Sequence, residues 1–157
     1  DAGFDEIGAL YDAARFRAAA QETMALATKV NQYLEETSPW KTANEDREAT
    51  ACSLYTALQA INGLKVLFAP ILPFTSERLH QMLGLEGQLF GHQLVREFSE
   101  DGRKHRALVY DASAAKGEWL RSEIRPGCKL PKPSPLFRKL EESVAEEELA
   151  RLVRPVA

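Results

Sequence analysis

The chain has 157 residues and a mass of 17.5 kDa, with 45% hydrophobic and 27% charged residues, which is room for one compact domain with its own core. Twenty Lys and Arg against 23 Asp and Glu leave a formal charge of -3, so no bulk positive field advertises a nucleic-acid partner. No apolar run reaches the roughly 18–20 residues that cross a bilayer, and the first residues lack the basic start and apolar core of an export signal.

Cys52 and Cys128 are the only cysteines and form no CxxC pair. That argues against a disulfide framework or a thiolate zinc site and fits a reducing, cytoplasmic setting without membrane contact. The chain starts at Asp1 rather than Met and enters a helical pattern at once, which reads as a piece of a longer polypeptide.

Phe4, Ile7, Leu10 and Tyr11 recur at helical spacing and predict a short helix over Phe4–Ala14. A long amphipathic helix follows from Arg15 to Glu36. One stripe is Phe16, Ala19, Thr23, Leu26, Val30 and Tyr33; a second, Ala20, Met24, Ala27, Asn31 and Leu34, widens the face enough to touch two neighbours. Pro39 disfavours helical angles at Ser38 and so ends this helix, which puts Trp40 just past its end.

A polar connection, Lys41 to Arg47, leads to a helix over Asp46–Ala69 with Leu54, Ala57, Leu58, Ile61, Leu64 and Phe68 on one stripe. Gly63 inside it costs about 1 kcal/mol relative to Ala, a cost that suggests close approach of a neighbouring helix. Pro70 interrupts the pattern, Pro73 opens a helix reaching Leu83, and Gly84 closes it.

Gln93–Glu100 and Arg103–Asp111, joined by Asp101-Gly102, predict a β-hairpin. A lone hairpin is marginal in water, so it is expected to lie on the helices through Leu94, Phe98, Leu108 and Tyr110. Gly127–Pro135, with three prolines, reads as extended, and Leu136–Val153 as a surface helix. The fold expected is therefore mainly α: a helical bundle over residues 1–92, a small inserted β-hairpin over 93–111, and a wrap-around tail with an extended Pro-rich segment and a last helix over 112–157.

Catalytic apparatus is missing from this pattern: there is no Gly-rich phosphate loop, no nucleophile elbow and no H-E-x-x-H pair. His80, His92 and His105 each stand alone and read as ordinary surface or partly buried histidines. The residues that suggest a role are Asn31, Tyr33, Pro39, Trp40 and Lys41. A Trp at a bundle end can pack over the core, which composition favours, or can offer a stacking platform for an unpaired base. In the second case Lys41 and Arg47 would supply local charge.

The run Asn31 to Lys41 resembles the N-x-Y-x-x-x-x-P-W signature of the C-terminal helical domain of methionyl-tRNA synthetases. Further resemblances follow in order. They are Pro70-Ile71-Leu72-Pro73, Ser76-Glu77-Arg78 and Leu83-Gly84, then Pro126-Gly127-Cys128-Lys129-Leu130 and Pro135-Leu136-Phe137-Arg138-Lys139-Leu140. The resemblance implies an anticodon-binding domain of a class I aminoacyl-tRNA synthetase in which Trp40 stacks on the first anticodon base of the methionine tRNA. With the local charge of Lys41 and Arg47, the candidate anticodon site is Trp40, Pro39, Asn31, Lys41 and Arg47. The family's Asn and Arg that also read the anticodon would lie on a helix upstream of Asp1.

The same resemblance implies that ATP and zinc belong to a catalytic domain elsewhere in the polypeptide, that this fragment holds no cofactor or metal, and that it charges no tRNA alone. Two alternatives stay open: a non-catalytic helical protein-interaction module, and the anticodon domain of a cysteinyl or isoleucyl relative. The hairpin is longer than the family's usual connection and reads as an insertion, or as a tRNA-backbone contact through Arg96, Arg103, Lys104, His105 and Arg106.

Overall fold

The computed structural model describes residues 2–141 and 143–152. The predicted end of the last helix at Val153 lies outside them. The order is α1 (Ala2–Asp12), α2 (Phe16–Thr37), α3 (Pro39–Thr42), α4 (Arg47–Phe68), α5 (Pro73–Met82), β1 (His92–Glu100), β2 (Arg103–Asp111), and α6 (Ser143–Leu152). The fold is mainly α with one two-stranded antiparallel sheet. No helix among the described residues is long and apolar enough to cross a membrane.

The apolar centre joins α1, α2 and α4. Ile7, Ala19 and Leu67 are buried together, with Phe4, Leu10, Tyr11 and Leu26 packed around them, and the Tyr11 hydroxyl donates to the Leu67 carbonyl at 3.3 Å. Aromatic packing extends this cluster to a residue the helical pattern did not flag. Trp119 sits edge-on to Phe4 and Tyr11, at ring separations of 5.9 and 5.7 Å, and its indole N–H donates to the Phe4 carbonyl at 3.1 Å.

Helix α4 departs from its predicted apolar stripe. Leu54 is exposed, whereas Gln59, Asn62 and Lys65 are buried in a row on one face. Each finds partners, as buried polar groups must. Gln59 and the backbone of Ile124 exchange two hydrogen bonds, Gln59 Nε2 donating at 2.9 Å and Ile124 N at 3.2 Å. Asn62 Nδ2 donates to both the carbonyl and hydroxyl of Ser122 at 2.9 Å. Lys65 Nζ donates to Asn62 Oδ1 at 2.8 Å and lies 3.2 Å from His80 Nδ1 on α5.

His80 therefore does not stand alone. With its Nδ1 accepting from an ammonium, the ring is neutral and Nε2–H points at the Glu86 carbonyl, 3.4 Å away. Arg78 then holds the Pro-rich tail against α5 by donating to the carbonyls of Leu136 and Pro135 at 3.2 and 3.1 Å.

Four expectations change. Residues 136–141 are not helical, and the last helix begins at Ser143. Helix α1 starts earlier and ends at Asp12, because Ala14 takes a left-handed φ of 54°. Gly63 meets no close helix: a Cβ there would touch only the Phe4 ring, at 3.9 Å. The hairpin does not lie on the helices; every residue of β1 is exposed.

Burial lowers the Lys65 pKa from its ordinary 10.5 to about 8, with Glu77 opposing the shift. Above pH 8 the folded chain sheds that proton while the unfolded chain keeps it, so stability rises as pH climbs from about 8. Burial, and then the Lys65 charge, lower the His80 pKa too, so acid destabilises the fold below about pH 6.5. The urea midpoint is expected to rise between about pH 8 and 9.5, worth roughly 1–3 kcal/mol. That rise disappears in Lys65→Met, and a flat midpoint in the unsubstituted chain contradicts the burial of a charged lysine.

Candidate nucleic-acid interface

The turn that presents Trp40 is built from the end of α2. Ser38 adopts a left-handed conformation, φ 39° and ψ 55°, and its N–H donates to the Leu34 carbonyl at 2.9 Å. A proline usually holds its predecessor in extended angles, and a left-handed Ser costs about 1–2 kcal/mol. Local bonds offset that strain: Ser38 Oγ donates to Glu35 O at 2.6 Å and Thr37 Oγ1 to Tyr33 O at 2.8 Å.

The chain then makes a single helical turn, α3, where a loop was expected. Pro39 occupies its first position, where a missing N–H is harmless, and is buried. Thr42 ends the turn with its hydroxyl 2.8 Å from that of the buried Thr50 on α4, and Asp46 caps α4 by accepting from Ala49 N at 2.9 Å.

Pro39 thus anchors the turn and Trp40 faces water, 62% exposed. That exposure departs from the packing role that composition favours for a Trp. Lys41 follows on the same turn and Arg47 opens α4, both exposed. Asn31 is exposed on α2, as is Met24 about two turns earlier on the second stripe, whereas Ala20, Ala27 and Leu34 of that stripe are half-buried. Tyr33 points elsewhere. It lines a groove of about 510 Å³ between α1, α2 and α4, with Phe4, Leu26, Val30, Ala60 and Gly63.

Charge around Trp40 is not cationic. Between residues 35 and 48, Lys41 and Arg47 are outnumbered by Glu35, Glu36, Glu45, Asp46 and Glu48, all exposed. An exposed aromatic in such a setting can stack on a flat, unpaired ring; phosphate tracking would fall to few groups. Among the described residues no three His, Cys, Asp or Glu side chains gather to hold a metal ion. Both cysteines are free and exposed.

The sequence matches the family described as the anticodon binding domain of methionyl tRNA ligase over residues 2–107. The chain belongs to this methionyl-tRNA ligase family. Similar relatives are the methionine–tRNA ligases of Thermomicrobium roseum, 50% identical over 97% of this chain and 26% of the relative, and of Chloroflexus aggregans, 46% identical over 96% and 25%. The enzyme of Corynebacterium jeikeium is 36% identical over 91% of this chain and 26% of its own length. The chain spans about a quarter of the length of these curated relatives. The proline–tryptophan pair and the acidic residues around it are legible in the sequence, whereas the groove follows only from the packing.

Trp40→Ala is expected to cost the fold less than about 1 kcal/mol, because most of the ring is already in water. Ile7→Ala, which empties the buried cluster, costs about 2–5 kcal/mol. Thermal melts of the two variants side by side check this, and a Trp40→Ala loss as large as that of Ile7→Ala contradicts a free platform.

Proposed function

We propose that this chain holds the anticodon loop of the methionine tRNA within a longer ligase that joins methionine to that tRNA. The exposure of Trp40 on a turn fixed by Pro39 carries this reading. Anticodon bases are unpaired, so they can splay out and stack on an aromatic face while their edges stay open to hydrogen-bonding groups. Trp40 stacks on the first anticodon base. Asn31, an amide donor and acceptor, serves base edges or sugar, and Lys41 and Arg47 meet the neighbouring phosphates.

The open groove between α1, α2 and α4 supports a site that is incomplete in this chain alone. Its apolar walls and the space over Gly63 suit one more amphipathic helix. A helix from upstream of Asp1 seated there would bring the family's second set of anticodon-reading side chains. The acidic surface around Trp40 supports the same view, since cations for the tRNA backbone must come from elsewhere. ATP and zinc, and the formation of the methionyl ester, belong to the catalytic domain of the same polypeptide, in the cytoplasm.

The test is Trp40→Ala in the full-length ligase. The kcat/KM for cognate tRNA is expected to fall roughly 5- to 150-fold, the equivalent of about 1–3 kcal/mol of stacking. Methionine-dependent pyrophosphate exchange stays unchanged. Equal loss of both activities, or loss of neither, rejects the stacking role.

A further inference from the structure

The β1–β2 ribbon is the largest feature the anticodon reading leaves unused. Its base is rigid. Glu77 Oε2 accepts from the N–H groups of Leu89 and Phe90 at 2.9 and 3.3 Å, and Lys116 N and Gly117 N donate to the carbonyls of Gln88 and Leu89 at 2.8 and 3.0 Å. Gly91 allows the strands to leave side by side, because a Cβ there would overlap the Asp111 carbonyl.

Beyond that base the ribbon has no cover. Nine residues of each strand pair in continuous register from His92–Asp111 to Glu100–Arg103. Asp101 and Gly102 close it with positive φ values of 48° and 77°, the turn whose twist matches a hairpin. Register puts Val95 opposite Leu108 with Tyr110 next along the same face, and these three are 56%, 64% and 54% exposed. Toward the tip the same face carries Arg106 and the Lys104–Glu97 ion pair at 3.0 Å. Two-stranded ribbons are marginal alone, so three large apolar side chains on one open face need a partner surface.

Charge decides between kinds of partner. Over residues 92–111 the four cations Arg96, Arg103, Lys104 and Arg106 are matched by Glu97, Glu100, Asp101 and Asp111. A neutral ribbon with an apolar centre and a charged rim is poorly suited to a polyphosphate and well suited to a protein surface. Three quarters of the length of the relatives lies outside this chain, and the match to the Thermomicrobium roseum enzyme covers 97% of it. The ribbon base also sits beside His80 and Lys65, about 27 Å along α4 from Arg47, so an arm leaving there does not need the Trp40 end of the bundle.

We propose that the Val95–Leu108–Tyr110 face of the ribbon docks on a folded part of the same polypeptide outside these 157 residues. The docking rests on the reading of this chain as one portion of a longer ligase. It gives the ribbon a role in fixing the bundle relative to the rest of the enzyme, separate from reading the anticodon.

Amide hydrogen exchange across residues 92–111 tests it, comparing the 157-residue chain with the full-length ligase, both free of tRNA. Exchange in the ribbon is expected to be at least tenfold slower in the full-length protein, and Val95→Asp with Leu108→Asp restores the faster rate there. Equal exchange in both proteins overturns the proposal, and so does protection that survives the double substitution. Protection that needs added tRNA assigns the arm to RNA, and protection of the short chain that grows with its concentration assigns it to a second copy; either result overturns it. Methionylation of tRNA by the same full-length preparation is scored separately, so failure of the functional reading is told apart from failure of the docking.

Discussion

Three polar side chains on the inner face of α4 set the terms for everything packed against it. Gln59, Asn62 and Lys65 are placed at helical spacing toward the interior, where an unpaired amide or ammonium costs several kcal/mol. Part of this bonding lies within α4, where Lys65 donates to Asn62, and the rest is met by chain that comes to it. Ser122 and Ile124 of the tail satisfy the first two, and His80 of α5 shares the third. One row of helical residues thereby orders a segment some sixty residues away, and the Ile124 side chain closes over the contact as part of the core. The arrangement gives specificity more than strength, because an apolar face would bind the tail less selectively.

The Trp40 turn follows a different principle. Of its residues only Pro39 is buried, so most of its geometry comes from the backbone. A left-handed Ser38, a buried Pro39 and the Thr42–Thr50 contact fix three points of a short turn, which sets where the Trp40 side chain leaves the backbone. A turn held this way pays its backbone ordering entropy at folding rather than at binding.

Periodicity located all the long helices because their apolar spacing is strong, and Asp101-Gly102 located the hairpin because few dipeptides take two positive φ values. The same method failed on α4. A Gln, Asn or Lys on an inward face looks like an error in the pattern until its partners are known, and those partners lie in a segment with no pattern of its own. It also failed on the placement of the hairpin, where an apolar residue was taken to imply a neighbour within the chain. At the candidate site the identity of Pro39 and Trp40 came from a motif; that Trp40 is open and Tyr33 faces a groove came from packing alone.

The two tryptophans are both exposed, Trp119 40% and Trp40 62%, but Trp119 packs against two other rings, and this difference divides the intrinsic fluorescence of the chain between two reporters. Trp119, wedged against Phe4 and Tyr11 with its indole N–H bonded to a carbonyl, emits from a structured, partly dry pocket that exists only while α1 and the tail are joined. Trp40 emits from water, so its signal is nearly blind to unfolding and open to quenching by any ring laid against it. Replacing either one by Phe leaves a chain whose single remaining indole reports one event, assembly of the tail or occupancy of the turn, without contamination by the other.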